Sequence, residues 1–437
     1  MDRILVAIVA GLSPRMVRDS ARCPNIFSMA ESGTFVPLKP VLPAVTCTMQ
    51  ATLTTGLAPS EHGVVSNGYY FRDTAKAEFW QHSARLVNRP RIWDMLREKN
   101  DKLTTAALFW WNTLYSTADI YMNVAPVHTA KGETIPSCYS KPRGLYDECE
   151  AALGPFPLHN YWGPMSAIES SRWIAAVTIR VLEKYSPALT LTYLPQLDYS
   201  SQKYGPDADL TLKDVSAIDE VIGDLRKRAN ANGAKLIVIS EYSFSPVRGD
   251  VALNRVLRKN GFIDVRTVAD REYLDTGNSA AFAMADHQVA HVFVNDKTRL
   301  EEIAGVLRAT DGVDEVLSGA EKEQRGLDHA NSGDLVALAA KDRWFSYYWW
   351  FEEDRAPDFA YTVDIHRKPG YDPVELFLDR ERRCIPTDAS LVKGSHGLVS
   401  DNIDEMAVLV SEVPLPVPAG RPLAATDFAR TILELFH

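Results

Sequence analysis

The sequence predicts an α/β fold built on a largely parallel central sheet flanked by helices. Three observations carry that expectation: short apolar runs recur, helical patterns separate them, and polar residues of chemical interest cluster just after the runs. Residues 4–10 are continuously apolar and then broken by Gly11 and Pro14, the pattern of a strand buried on both faces. Similar runs occupy residues 103–109, 189–194 and 236–240. Between the later runs, residues 170–185 and 210–232 place apolar side chains three and four apart, as an amphipathic helix does. Strand–helix–strand alternation of this kind means βαβ units and parallel pairing.

After Glu241 the texture changes. Shorter β-branched runs (residues 290–294 and 335–339) precede an aromatic stretch at 344–351 and an acidic one at 352–354. Residues 246–380 read as an inserted, smaller α+β subdomain, with 1–245 and 381–437 forming the core. The aromatic run is expected to pack inside, and Glu352, Glu353 and Asp354 to form a solvated loop.

Composition narrows the function. A formal net charge of −10 over 437 residues argues against a nucleic-acid-binding surface, which would cluster lysine and arginine. Five cysteines, an odd number without a CxxC pair, fit a reducing compartment better than a disulfide framework. The N-terminal apolar run is too short for a membrane span and lacks a signal-peptide cleavage pattern. A cytoplasmic location and no membrane partner are therefore expected. Nothing in the sequence bears on oligomeric state.

In open α/β sheets ligands sit beyond the carboxyl ends of the strands. The segments found there are Ala10-Gly11-Leu12, PAVTCTMQATLTTGLAPSEHGVVSNGYY from Pro43, YLPQLDYSSQKYGP from Tyr193, and VISEYSF from Val238; GSHG from Gly394 stands near the C-terminus. Thr46 alone would read as a helix N-cap, and Asn67, before Gly68, as a turn residue. His62 before Gly63 reads as closing the helix that Thr46 opens. Asp198 close behind an apolar strand is costly without a cation or donors, which favours a ligand role. Trp111 could line a pocket and stack on a ring, or simply pack.

This order of motifs resembles the nucleotide pyrophosphatase/phosphodiesterase branch of the alkaline phosphatase superfamily, with phosphonoacetate hydrolase as a near relative. The resemblance is most specific around Thr46, in P-x-x-T-x-T followed by TGL-x-P-x-x-HG and an asparagine. It implies an alkaline-phosphatase-like core and a hydrolase of phosphodiesters, pyrophosphates or related phosphorus-containing small molecules. It further implies Thr46 as nucleophile, with its backbone amide and the Asn67 side chain holding a phosphoryl oxygen. One or two divalent ions are expected, zinc first and manganese or iron as alternatives. Asp198 and His396 would bind one ion, and Glu241 would help bind the other. The substrate partner is accordingly a phosphorylated or otherwise anionic small molecule.

The chain departs from that pattern at three ligand positions. Ala10 stands where an aspartate is expected, Gln202 where a histidine is, and Glu241-Tyr242 where Asp-His is. Replacement ligands can come from the insert, where His287 follows Asp286 and where Asp364 and His366 form a D-x-H. On an extended segment that D-x-H would point both side chains to one face. Arg367 and Lys368 beside it are natural phosphate partners. The other reading is a catalytically silent or repurposed small-molecule-binding protein on the same fold.

Overall fold

The computed structural model describes residues 3–436. In chain order its main strands are β1 (Arg3–Val9), β2 (Thr34–Lys39), β3 (Thr105–Leu108), β4 (Ile120–Val124), β5 (Cys138–Lys141), β6 (Leu189–Leu194), β7 (Ala234–Ile239), β8 (Ala281–Asp286), β9 (Val289–Val294), β10 (Val313–Leu317), β11 (Leu335–Ala339), β12 (Ala407–Ser411) and β13 (Leu423–Ala424). Four helices matter most for the site: α1 (Thr46–Thr55), α2 (Ile168–Tyr185), α3 (Gln196–Tyr204) and α4 (Asp209–Ala231).

Nine strands form one sheet in the order β13-β2-β12-β7-β1-β6-β3-β4-β5. The central run β7-β1-β6-β3-β4 is parallel, and β12 and β5 pair antiparallel on either side of it. Every residue of β6, and all of β1 except Arg3, is buried, as double-faced coverage by helices requires. The helical stripes read at 170–185 and 210–232 appear as α2 and α4, within two residues at each end.

A second, antiparallel sheet has the order β8-β9-β11-β10. It carries its own apolar cluster, in which Trp344, Phe345, Tyr347, Tyr348, Trp349 and Trp350 are all buried. The aromatic run is thus packing material, whereas Glu352 and Glu353 are exposed. The two sheets are tied at the site: Tyr70 and Phe79, near the end of the Thr46 block, pack into the second cluster.

The segment carrying Asp364, His366, Arg367 and Lys368 differs from its expected extended form. Asp364 turns back on itself, its Oδ1 accepting the backbone N–H groups of His366 and Arg367 while the Arg367 guanidinium pairs with its Oδ2. Asp364 and His366 therefore do not share the face of a strand. Lys368, expected to meet a phosphate, is 1 % exposed and spends its ammonium on Asp372 Oδ2 (2.7 Å), Glu375 Oε1 (2.6 Å) and the Thr362 carbonyl (3.0 Å). Glu375 also accepts from the Asp364 backbone (2.9 Å) and the Trp162 indole (2.5 Å), so the lysine anchors this segment from inside.

His62 is buried between Thr52, at 2.9 Å from Nε2, and the Val64 N–H, which donates to Nδ1 (3.1 Å). That arrangement suits only a neutral ring, and burial, reinforced by Arg91, depresses its pKa to about 3. His291, buried on β9, is pushed down to about 4 by the same desolvation.

Two outcomes follow from these buried groups. The unfolded chain takes up protons on both histidines below the ordinary value of 6.5 while the folded chain does not. Stability is therefore complete above that value and drains away as pH falls toward 4, by up to about 1.4 kcal/mol per pH unit for each ring. Urea midpoints measured across that range should decline steadily, and His62→Gln should flatten the decline. Lys368→Met leaves two carboxyl groups buried without their cation and should cost about 3–5 kcal/mol. A phosphate-binding surface lysine would leave the melting temperature unchanged on that substitution.

Candidate active site

The strand ends of the large sheet and the β8–β9 hairpin of the small one meet at a cavity of about 650 Å³. Thr46, Asp198, Tyr242, His287 and His396 border it together. Trp80, Trp111, Trp162 and Tyr371 add an aromatic wall.

Thr46 is the first residue of α1, one past the N-cap position, which Val45 fills. Its hydroxyl leaves the helix backbone and meets the Tyr242 hydroxyl at 3.0 Å. Tyr242 donates to Asp198 Oδ1 (3.1 Å) and has a single proton to give. With Asp198 ionised, the Thr46 O–H must therefore donate to Tyr242, which turns its lone pairs away from that contact.

Asp198 lies in the first turn of α3, buried at 7 % exposure. Gln202, one helical turn on, donates to its Oδ2 at 2.6 Å, and Tyr371 donates to Gln202 Oε1 at 2.9 Å. Burial raises the Asp198 pKa to about 6, opposed by His287 and by the hydrogen bonds from Tyr242 and Gln202. The glutamine standing in the expected histidine position thus holds Asp198 in place.

His396 and His287 share one design. His396 Nδ1 lies 2.8 Å from the Ala44 carbonyl, which can only accept, so Nδ1 carries the proton. His287 Nδ1 lies 2.8 Å from the Asp286 carboxylate, with the same consequence. Both Nε2 atoms are buried and have no partner. Their rings lie 3.8 Å apart, and Tyr242 stacks on the other face of His396 at 3.6 Å. Burial, with His287 nearby, drives the His396 pKa well down. His287 sits at the hairpin turn with φ +61°, a backbone conformation costly for a residue with a side chain.

Asn67 is buried and does not border the cavity. Its Oδ1 accepts the Cys47 N–H (2.9 Å) in the first turn of α1, and its Nδ2 donates to Asp286 Oδ1 (3.0 Å). Asp286 also receives the Asn67 N–H and the Ser66 hydroxyl, each at 2.8 Å. Burial alone would raise the Asp286 pKa, yet donors from His287, Asn67 and Ser66 hold it below the ordinary carboxylate value. One aspartate thus sets both the turn that carries Thr46 and His287.

Glu241 is fully buried and outside the cavity lining. Gln50 donates to its Oε1 (2.8 Å), Oε2 has no partner, and burial pushes its pKa well up. The amide oxygen of Gln50 accepts the Trp111 N–H at 2.8 Å, so Glu241 and Gln50 brace the aromatic wall. Asp364, His366 and Arg367 also border the cavity, but Asp364 is occupied by Arg367, which faces Asp358 as well.

The two-ion set implied by the resemblance does not fit these residues. Ala10 offers no donor atom, Glu241 lies behind the wall with its pKa pushed well up by burial, and a phenol, Tyr242, stands between Thr46 and Asp198. Among the described residues, no group of three or more His, Cys, Asp or Glu side chains is placed so that it could hold a metal ion. No helix among them is long and apolar enough to cross a membrane.

Comparison with known proteins places this geometry. The chain resembles an uncharacterised pyrophosphatase/phosphodiesterase of Schizosaccharomyces pombe, 23 % identical over 254 residues, 57 % of this chain. The match takes in 45 % of that relative, so the chain spans about half its length. Phosphonoacetate hydrolase from Sinorhizobium meliloti, solved with phosphonoacetate, superposes with a TM-score of 0.66 at 15 % identity, covering 99 % of this chain and 95 % of its own. Murine ectonucleotide pyrophosphatase/phosphodiesterase 5, solved as an inactive variant with AMP, gives 0.63 at 14 % identity, covering 100 % and 95 %. At such identities the structures establish the alkaline-phosphatase-like fold alone. The family model for type I phosphodiesterase/nucleotide pyrophosphatase matches residues 4–372, and the chain belongs to that family.

Proposed function

We propose that this protein hydrolyses phosphodiester or pyrophosphate bonds of small molecules, with Thr46 as the nucleophile. The observation that carries the proposal is the placement of the Thr46 hydroxyl: at a helix N-terminus, on the cavity wall, and oriented by Tyr242 and Asp198. The start of a helix favours an anion beside Thr46. In the forward step the Thr46 Oγ–P bond forms as the P–O bond to the leaving group breaks, and the leaving oxygen keeps the electron pair. Water then attacks the phosphothreonine and releases Thr46. Tyr242 holds the hydroxyl in line, and its proton passes toward the Tyr242–Asp198 pair as the oxygen becomes nucleophilic.

A divalent ion, which family membership supports, would supply charge neutralisation at the phosphoryl oxygens and lower the pKa of a bound hydroxyl or water. The aromatic wall of Trp80, Trp111, Trp162 and Tyr371 suits a leaving group or ester substituent with a flat face. Trp111 is already stacked with His82, ring centres 5.0 Å apart, which fixes its plane. Arg367 borders the same space, its guanidinium paired with Asp364 and facing Asp358.

Turnover of bis-p-nitrophenyl phosphate tests the reading. Thr46→Ala should lower kcat by at least about 1000-fold, the scale of losing a nucleophile, with the fold intact by circular dichroism. Equal turnover by the wild type and Thr46→Ala would remove Thr46 from the mechanism. If neither turns over while both bind phosphodiesters, the repurposed binding protein becomes the better description.

A further inference from the structure

We infer that the aromatic wall of the cavity is a subsite for an organic cation, and that the substrate is a singly charged phosphodiester whose ester substituent carries a quaternary ammonium group. The inference names the substrate class of the hydrolase reading and rests on that reading, but its first measurement is binding and needs no turnover.

The first support is the shape of the wall. Trp111, Trp80, Tyr371, Trp162 and Tyr199 form a continuous chain of rings, with successive centres 4.9, 6.0, 5.6 and 5.9 Å apart. All five border the cavity. Neighbouring planes are turned by 42°, 66°, 51° and 61°. Rings turned in this way curve around a rounded space, whereas a flat ligand lies face to face with only one of them. Each face carries the negative part of the ring quadrupole, so several of them about one space attract a cation. The polar atoms of two rings are already spent. The Trp162 indole N–H donates to Glu375 (2.5 Å) and the Tyr371 hydroxyl to Gln202 (2.9 Å), so these rings offer a ligand π-surface and no donor.

The second support is charge. Among the described residues, the cavity border includes one arginine and no lysine. That arginine, Arg367, pairs with Asp364 and faces Asp358 at 3.6 Å. Lys368 is spent inside on Asp372 and Glu375. His82, stacked on Trp111, is pushed down to about 4 by burial and is neutral near pH 7. The Asp198 carboxylate is joined to the wall through Gln202, which accepts from Tyr371 and donates to Asp198 at 2.6 Å. A substituent that brought further negative charge would meet no free cation here, and like charges in a poorly hydrated space repel strongly. A positive substituent makes the diester neutral as a whole.

The third support is how the wall is fixed to the Thr46 turn. Trp80 has φ +60°, a left-handed conformation that is costly for a residue with a side chain and that clusters at functional sites. Its N–H donates to the Asn67 carbonyl at 3.0 Å, and the Asn67 side chain accepts the Cys47 N–H, next to Thr46, at 2.9 Å. Tyr371, in the middle of the chain of rings, stacks on His287 at 3.8 Å. The wall is therefore held in register with Thr46 around one cavity of about 650 Å³, an ordinary size for a small-molecule site.

The test begins with calorimetric titration of the full chain with choline and with its neutral isostere, the alcohol in which carbon replaces the nitrogen. Choline should bind at least about 10-fold more tightly, the scale of a desolvated cation–π contact. Trp80→Leu and Trp162→Leu, both at half-buried positions, should each reduce that preference, and Trp80→Phe should keep most of it. Thermal melts confirm that the variants are folded, and the wild-type comparison stands without them. Turnover is then compared for two diesters with the same p-nitrophenyl leaving group, the choline ester and the thymidine ester. The choline ester should have the higher kcat/KM by at least about 10-fold, and Trp80→Leu should narrow the gap. Choline binding no better than the neutral alcohol, a preference untouched by both leucine variants, or faster turnover of the thymidine ester would each overturn the inference. Selective choline binding with neither ester cleaved would leave the cation subsite standing while sinking the hydrolase reading.

Discussion

A carboxylate buried at the end of a parallel sheet has to be satisfied, and much of this molecule is arranged around that requirement at Asp198. Desolvation there is strong enough to lift its pKa to about 6 even with two donors in contact. Gln202 supplies one donor from the next turn of α3, and Tyr242, following β7, supplies the other. Tyr371 in turn orients Gln202. The hydroxyl of Thr46 is the outermost member of this chain, so the direction of its proton is decided two residues away.

The second constraint is that the site is shared by two cores. Segments following strands of the nine-stranded sheet contribute Thr46, Asp198 and Tyr242, a separate short strand pair (Ser245–Pro246 with Gly394–Ser395) leads into His396, and the β8–β9 hairpin of the smaller sheet contributes Asp286 and His287. Asp286 binds Ser66 and Asn67 on the first side and His287 on the second. It is the point where the two halves of the site are fixed to each other, and its depressed pKa reflects how completely its oxygens are used.

Much of the architecture was legible in the sequence because it rests on periodicity. The apolar runs became β1, β3, β6 and β7, and the amphipathic stripes became α2 and α4. Thr46, Asp198 and His396 could be found because their motifs follow strands in a recognisable order, and they do meet. The antiparallel pairing of β12 and β5 was not visible, since nothing local encodes pairing direction. Lys368 read as a phosphate ligand because charge near Pro-Gly looks exposed; only the fold shows Asp372 and Glu375 closing over it. Asp364 and His366 failed as a strand pair because an Asx-type turn competes with extended backbone at an aspartate. Tyr242 and Gln202 read as lost ligands, whereas the fold gives both a second occupation as donors to Asp198.

The bond between Asn67 and Asp286 spans 219 residues of sequence. Chains emerge from the ribosome N-terminal end first and fold domain by domain. A chain synthesised as far as Phe244, just past β7, already carries Thr46, Asp198 and Tyr242 yet lacks Asp286, His287 and His396. Such a nascent chain holds Thr46 without the groups that steady its loop or complete its polar surroundings. The polar network around Thr46 therefore closes once the β8–β9 hairpin and His396 have been made.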